Sequence, residues 1–400
     1  MKKLIVFSVL PLVMPLVYLV GIQTSMAANL NVGKVLYSNS IQNEPTIWKE
    51  SDGEMASDTS VNPQQIFFHF RKTQILFNAN ILNGRKYCAF PSTVKLNDST
   101  VLISYKRGYA HYKDTGFVGL IRYDPRIMKV ISRGPIYKTK YNNQNTEILK
   151  MPNGDVVIYV DRQMPGPKKR IGLEELRSTD DGITWKDMGT VGLVNGVQFG
   201  YAFDDYIEGH TIYALWMTFP ELRGSEGERS VHVVKSNNNG ESWTDIKDLT
   251  KAYKKAFNES TLVKYNNGFL IVARADEKGS AFIFKTDSNF NLIKEKNLSS
   301  VYSCIDAIGR PKLFVKDGSY YMICRNNSCL FFYKINPATL SIEKWARLYR
   351  SPGWGGDAHY AEPYFQQEGN KTYFNVIDYF PVNSRFPEIV RFEFKWAELR

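Results

Sequence analysis

The chain has 400 residues, 14% of them aromatic, and a formal charge of +11 at neutral pH. Tyr and Phe favour pleated strands, so the composition leans towards β structure, and the positive balance attracts anions such as acidic sugars, nucleic acid or anionic surfaces. Lys and Arg are dispersed without a run of five or six, which excludes a dedicated nucleic-acid arm.

Met1-Lys2-Lys3, an apolar stretch over 4–22 and Ser25-Met26-Ala27-Ala28 have the layout of a secretory signal peptide, cut after Ala27. Pro11 and Pro15 interrupt a stretch already near the lower limit for spanning a bilayer, which argues against an uncleaved anchor. The expected product is secreted or periplasmic, with no membrane insertion after cleavage. Residues 28–80 form an N-terminal segment. Within it, 65–70 with 75–77 reads as an outer strand that would seal a ring against the last repeat, while 38–63 carry no pattern.

From 81 to 400 the chain is organised by repetition. Six turns recur: Asn97-Asp98-Ser99, Asn153-Gly154, Glu208-Gly209, Asn267-Gly268, Asp317-Gly318 and Glu368-Gly369. Their spacing of about 50 to 60 residues is that of a propeller blade. Each turn joins two apolar strands, and a third strand follows, so each unit is a short antiparallel meander. Such a unit cannot cover both its faces alone, and six of them closed into a ring can. The predicted fold is therefore all-β, a six-bladed β-propeller.

Four cysteines lie in the mature region, Cys88, Cys304, Cys324 and Cys329. Export permits disulfides. Cys324 and Cys329 flank Arg325-Asn326-Asn327-Ser328, so either a bridge across a hairpin or free thiols fit the spacing. No His stands at ligand spacing from them, and neither a metal nor a cofactor is expected.

After the second unit's third strand comes Ser178-Thr179-Asp180-Asp181-Gly182-Ile183-Thr184-Trp185, a full match to the Asp box, Ser-x-Asp-x-Gly-x-Thr-Trp. A degenerate copy, Ser236-Asn237-Asn238-Asn239-Gly240-Glu241-Ser242-Trp243, follows the third unit. In such a turn the Asp or Asn side chain bonds backbone N–H groups, Gly accepts a positive φ, and Trp packs beneath. With these boxes in register with the repeat, the chain from about Tyr87 onward resembles the sialidase (neuraminidase) superfamily. The resemblance implies a six-bladed propeller, often a glycosidase removing a terminal sialic acid, with Asp180 structural and at the rim.

In a propeller, one mouth gathers the starts of the innermost strands and the ends of the second strands. Ala89-Phe90, Glu147, Tyr201, Glu259, Arg310 and Tyr360 fall at the former, and Arg107, Asp161-Arg162, Trp216, Arg274, Arg325 and Tyr379 at the latter. A cationic, aromatic-lined pocket there suits an acidic sugar. The segment from Asn258-Glu259-Ser260 to Ala273-Arg274 resembles the superfamily's catalytic Glu and a carboxylate-binding Arg. Lys106-Arg107 with Asp114-Thr115-Gly116 resembles the segment of a second binding Arg and the loop Asp. Arg325 stands at the third, and Gly356-Asp357-Ala358-His359-Tyr360 resembles the nucleophile segment. The resemblance implies that Glu259 draws the proton from Tyr360, an arrangement suited to a substrate whose own carboxylate repels an anionic nucleophile. It further implies that Asp114 protonates the leaving oxygen and then activates water, while Arg107, Arg274 and Arg325 hold the substrate carboxylate. The superfamily's first-blade Arg-Ile-Pro is here Ala89-Phe90-Pro91, so one anchoring arginine is missing, a place that Arg310 or Arg85 would have to fill. Two alternatives stay open: a carboxylate pair such as Glu147 and Glu259 acting on another sugar, and a propeller that binds glycan without turnover.

Overall fold

The computed structural model describes residues 31–32, 63–66, 68, 71–77, 84–112, 114–166, 169–276, 280–302, 305, 308–351, 358–382 and 385–400. The signal segment, Cys304 and nearly all of 38–63 lie outside these residues. Six antiparallel sheets follow one another along the chain, each built around four strands, in sequence order in the first five. Their innermost strands are Tyr87–Lys95, Asn142–Lys150, Tyr201–Glu208, Phe257–Tyr265, Ile308–Lys316 and Glu362–Glu368. The molecule is a six-bladed propeller. Among the described residues no helix is long and apolar enough to cross a membrane.

The core is divided rather than central. Six clusters of buried side chains each span two adjacent blades, and the six together go round the ring. Leu102 and Val118 meet Ile148 and Ile158 between blades one and two, for example. Burial on both faces explains why the second strands read as nearly unbroken apolar runs, such as Phe269 to Ala273. Polar side chains pin neighbouring blades at the axis. Ser92 Oγ accepts from the Ile148 N–H at 3.1 Å, Asp204 from the Leu262 N–H at 3.0 Å, and Thr261 Oγ1 from the Leu313 N–H at 2.9 Å.

The sixth blade takes its outer strand from the other end of the chain. Arg71–Phe77 pairs antiparallel with Glu388–Lys395, with Thr73 opposite Phe392. Two shorter N-terminal pieces add to other blades: Asn31–Val32 beside Trp185–Thr190, and Gln64–Gln65 parallel to Ser341–Arg350.

In the turn after blade two's third strand, Asp180 accepts from the Thr184 N–H at 2.8 Å and the Thr184 hydroxyl at 2.6 Å. Trp185 donates to the Gly182 carbonyl at 3.2 Å. Asn238 holds the equivalent turn of blade three through the Ser242 N–H at 3.0 Å. The Cys324–Cys329 bridge is not formed. The hairpin register sets Cys329 opposite Asn326 and Cys324 opposite Phe331, so the two thiols do not face each other across the ladder.

Candidate functional site

Every innermost strand of blades one to five breaks register near its start, at Ala89/Ser92, Asn143/Thr146, Ala202/Asp204, Phe257/Ser260 and Gly309/Lys312. A bulge adds a residue to one strand and re-aims its side chain. Here the bulged residues, Glu259 and Arg310 among them, are turned into the mouth of the ring. Phe90 and Arg310 hold φ of 57° and 42°, and His359 beside Tyr360 holds 63°. Non-glycine residues adopt such values uncommonly, and they cluster at functional sites.

Glu259 lies at the centre, 3% exposed. Its Oε1 accepts a hydrogen bond from the Tyr360 hydroxyl, contributed from two blades further round the ring. Its Oε2 accepts from Arg274 Nη1 at 3.0 Å and from the Arg310 backbone N–H at 3.0 Å. The Arg325 guanidinium carbon lies 5.6 Å from the centre of the Tyr360 ring, and that of Arg310 lies 5.9 Å away. Burial alone would raise the Glu259 carboxyl, but Arg325, Arg274, the Tyr360 hydroxyl and the Arg310 N–H together hold it at about 2. The phenol moves the other way. Burial and the Glu259 charge raise Tyr360, against the pull of Arg325. The resting pair is thus a neutral phenol donating to a carboxylate.

Arg310 joins this pair to a second carboxylate. Its side chain, 4% exposed, ion-pairs with Glu147, and its Nη1 has no acceptor among the described residues. Glu147 also lies 3.3 Å from Lys312, which bonds Asp204 at 2.7 Å and Glu362 at 3.2 Å. Burial raises both the Asp205 and the Glu362 carboxyls, and Lys312 opposes it.

Six of the eight residues singled out in the sequence are therefore brought together, Glu259, Arg274, Arg310, Arg325 and Tyr360 around one mouth and Glu147 behind it, paired with Arg310. The other two are held apart from the pair. Arg107 donates to the Arg85 carbonyl at 3.0 Å and lies over the rings of Phe77 and Phe117. Alternation along its strand sends Lys106 to the opposite face, where it is fully buried and bonds the His111 carbonyl at 2.5 Å. Asp114 sits 3.5 Å from Lys106 and accepts the Tyr109 N–H. Its loop also carries His111, whose ring packs on Phe90 at 4.8 Å, and Phe90 packs on Tyr360 at 5.1 Å. Arg85, a candidate for the missing anchor, donates to Thr115 Oγ1 at 2.7 Å.

Sequence reasoning missed the ion-pairing role of Lys312, which gave no signal, since it lies mid-strand in an ordinary alternating segment. Tyr201, expected at the mouth from its place at an inner-strand start, lies under the Arg310 guanidinium at 5.8 Å, and its hydroxyl has no partner among the described residues.

No protein-family model matches the chain, and no curated protein does. Solved structures share the architecture at low identity. A protein of unknown function from Dyadobacter fermentans aligns with a TM-score of 0.62 and 15% identity, over 81% of this chain and 97% of that one. An α-L-arabinanase from Penicillium chrysogenum, complexed with arabinobiose, gives 0.58 and 12%, over 82% and 98%. Trypanosoma rangeli sialidase gives 0.52 and 10%, over 88% of this chain and 60% of the longer one. At such identities the likeness concerns the fold, which this chain shares with glycoside hydrolases.

Proposed function

We propose that this chain is an exported glycoside hydrolase that cleaves a terminal sugar at the Tyr360–Glu259 pair. The observation that carries the reading is the hydrogen bond from a half-buried phenol to a buried carboxylate held ionised by arginines. An unassisted phenol is a poor nucleophile at neutral pH. With Glu259 as base, the Tyr360 oxygen attacks the anomeric carbon as its proton moves to Oε1, and a covalent glycosyl intermediate results. Asp114, on the loop above Phe90, is the candidate acid that protonates the leaving oxygen and then activates water.

An acidic, sialic-acid-like sugar is the first choice of substrate. Around the mouth, Arg274, Arg310 and Arg325 face Glu259 and Glu147, leaving one positive charge in excess for a substrate carboxylate. A second reading, a neutral sugar, is favoured by Ala89 in place of an anchoring arginine and by the engagement of Arg107 with Phe77 and Phe117. There no substrate carboxylate repels an anion, and Glu259 itself serves as the nucleophile.

Fluorogenic sialosides and α-L-arabinofuranosides tested side by side separate the two. Glu259→Gln is expected to lower kcat by about 10²–10⁴-fold on the true substrate, with the fold intact by circular dichroism. Tyr360→Phe is expected to do the same only for the acidic sugar. Turnover of either substrate unchanged by Glu259→Gln would remove Glu259 from the reaction.

A further inference from the structure

Beyond the catalytic mouth, the later residues of the innermost strands enclose a second cavity of about 360 Å³, lined by Glu147, Asp204, Asp205, Lys312 and Glu362. These strands run in the same sense around the ring, so the cavity faces the end opposite the mouth. We propose that it binds one divalent cation of the hard, oxygen-seeking class, with Ca²⁺ as the reference ion, through Glu147, Asp204, Asp205 and Glu362.

The geometry comes first. One carboxylate oxygen each from Glu147, Asp204 and Asp205 lies within 4.8 Å of the others. Oxygens at that separation can share a single ion at the Ca²⁺–O length of about 2.3–2.6 Å. The donor set is all oxygen, which suits Ca²⁺ or Mg²⁺ rather than a soft metal.

Glu362 supplies the independent observation. It is 3% exposed, lines the same cavity, and its Oε1 has no hydrogen-bond partner among the described residues. A buried carboxylate oxygen left so is costly unless a cation or donor meets it. Lys312 does not meet it. An ammonium has three donors, and those of Lys312 face Asp204, Glu362 Oε2 and Glu147. Four carboxyls therefore surround two fixed cations, Lys312 and Arg310, and with all four ionised, as a bound cation requires, the remaining charge is that of one divalent ion. Because Glu147 also pairs with Arg310, whose backbone N–H bonds Glu259, an ion here would brace the floor of the mouth without touching it.

The test needs no substrate. The full chain, stripped with EDTA, is titrated with Ca²⁺ by calorimetry and melted with and without the ion. One saturable site and a Tm that rises with Ca²⁺ are expected. Asp205→Asn combined with Glu362→Gln should weaken binding at least tenfold and remove the rise, with the fold intact by circular dichroism. Should that pair fail to fold, Asp205→Asn alone serves, since Asp205 is half-buried. Lys312→Met should tighten binding, because it removes a competing cation. No saturable binding to the wild-type chain, or an affinity unmoved in a folded Asp205→Asn variant, would overturn the proposal.

Discussion

The proton between Tyr360 and Glu259 rests on the phenol. Burial and the neighbouring carboxylate raise Tyr360, while Arg325 and Arg274 hold Glu259 at about 2 despite its burial. This has a consequence for stability. The folded value of Glu259 lies below its ordinary 4.5, so the native state favours the ionised form. Its contribution is full above pH 4.5 and is lost as pH falls through about 2. A difference of this size corresponds to about 3 kcal/mol at most. Urea unfolding from pH 7 to 2.5 should show a shallower acid loss for Glu259→Gln than for the wild type, and parallel curves would contradict the linkage. Part of this was legible in sequence: Glu259 and Tyr360 stand at inner-strand starts within family-like segments. What was not legible is which way a side chain turns. Lys106 and Arg107 are adjacent and both basic, and a one-residue bulge at Ala89/Ser92 and the strand's alternation decide that the arginine leaves the mouth.

The element that closes the ring is Arg71–Phe77, and a buried polar knot holds it. Gln74 Oε1 accepts from the Tyr123 hydroxyl at 3.1 Å and from Arg391 Nη1 at 3.3 Å, tying the strand to blades one and six. Arg391 is fully buried, with its Nε bonding the Asn375 side chain at 2.9 Å and its Nη2 pairing with Glu393. Removing one partner of such a buried pair costs up to about 3–5 kcal/mol. Arg391→Met is expected to lower unfolding stability by that amount, and adding Glu393→Leu is expected to recover much of it, as chemical denaturation would show. A double variant no better than the single one would place the loss in packing instead. The first three strands of each blade were readable from turns and apolar runs. The fourth strands of blades one to five were not, whereas that of the sixth, Arg71–Phe77, overlaps at 75–77 the outer strand expected over 65–70 with 75–77. Leu292–Asn297 is exposed along most of its length, and at an outer edge no period-two pattern is imposed on the sequence.

At the scale of the whole ring, closure makes contacts that no local pattern announces. Tyr360 and Glu259 are 101 positions apart, and Arg310 and Glu147 are 163 apart. The ring could be inferred from its repeat, but the pairing across it depends on how each bulge rotates its residue. Lys312, Asp204 and Glu362 therefore carried no signal at all. Arg310 is where the two halves of the channel meet, and it separates structural from substrate roles. Its backbone N–H holds Glu259, its side chain pairs with Glu147, and its Nη1 is buried with no acceptor among the described residues. Arg310→Gln keeps the N–H but leaves Glu147 only the longer contact to Lys312, so a loss of up to about 3–5 kcal/mol is expected in urea melts. Adding Glu147→Gln removes that under-compensated charge and should restore most of the stability. If that nitrogen binds substrate, kcat/KM stays low in the double variant although its fold is recovered. If Arg310 only balances Glu147, activity returns together with stability, and Nη1 has no part in binding.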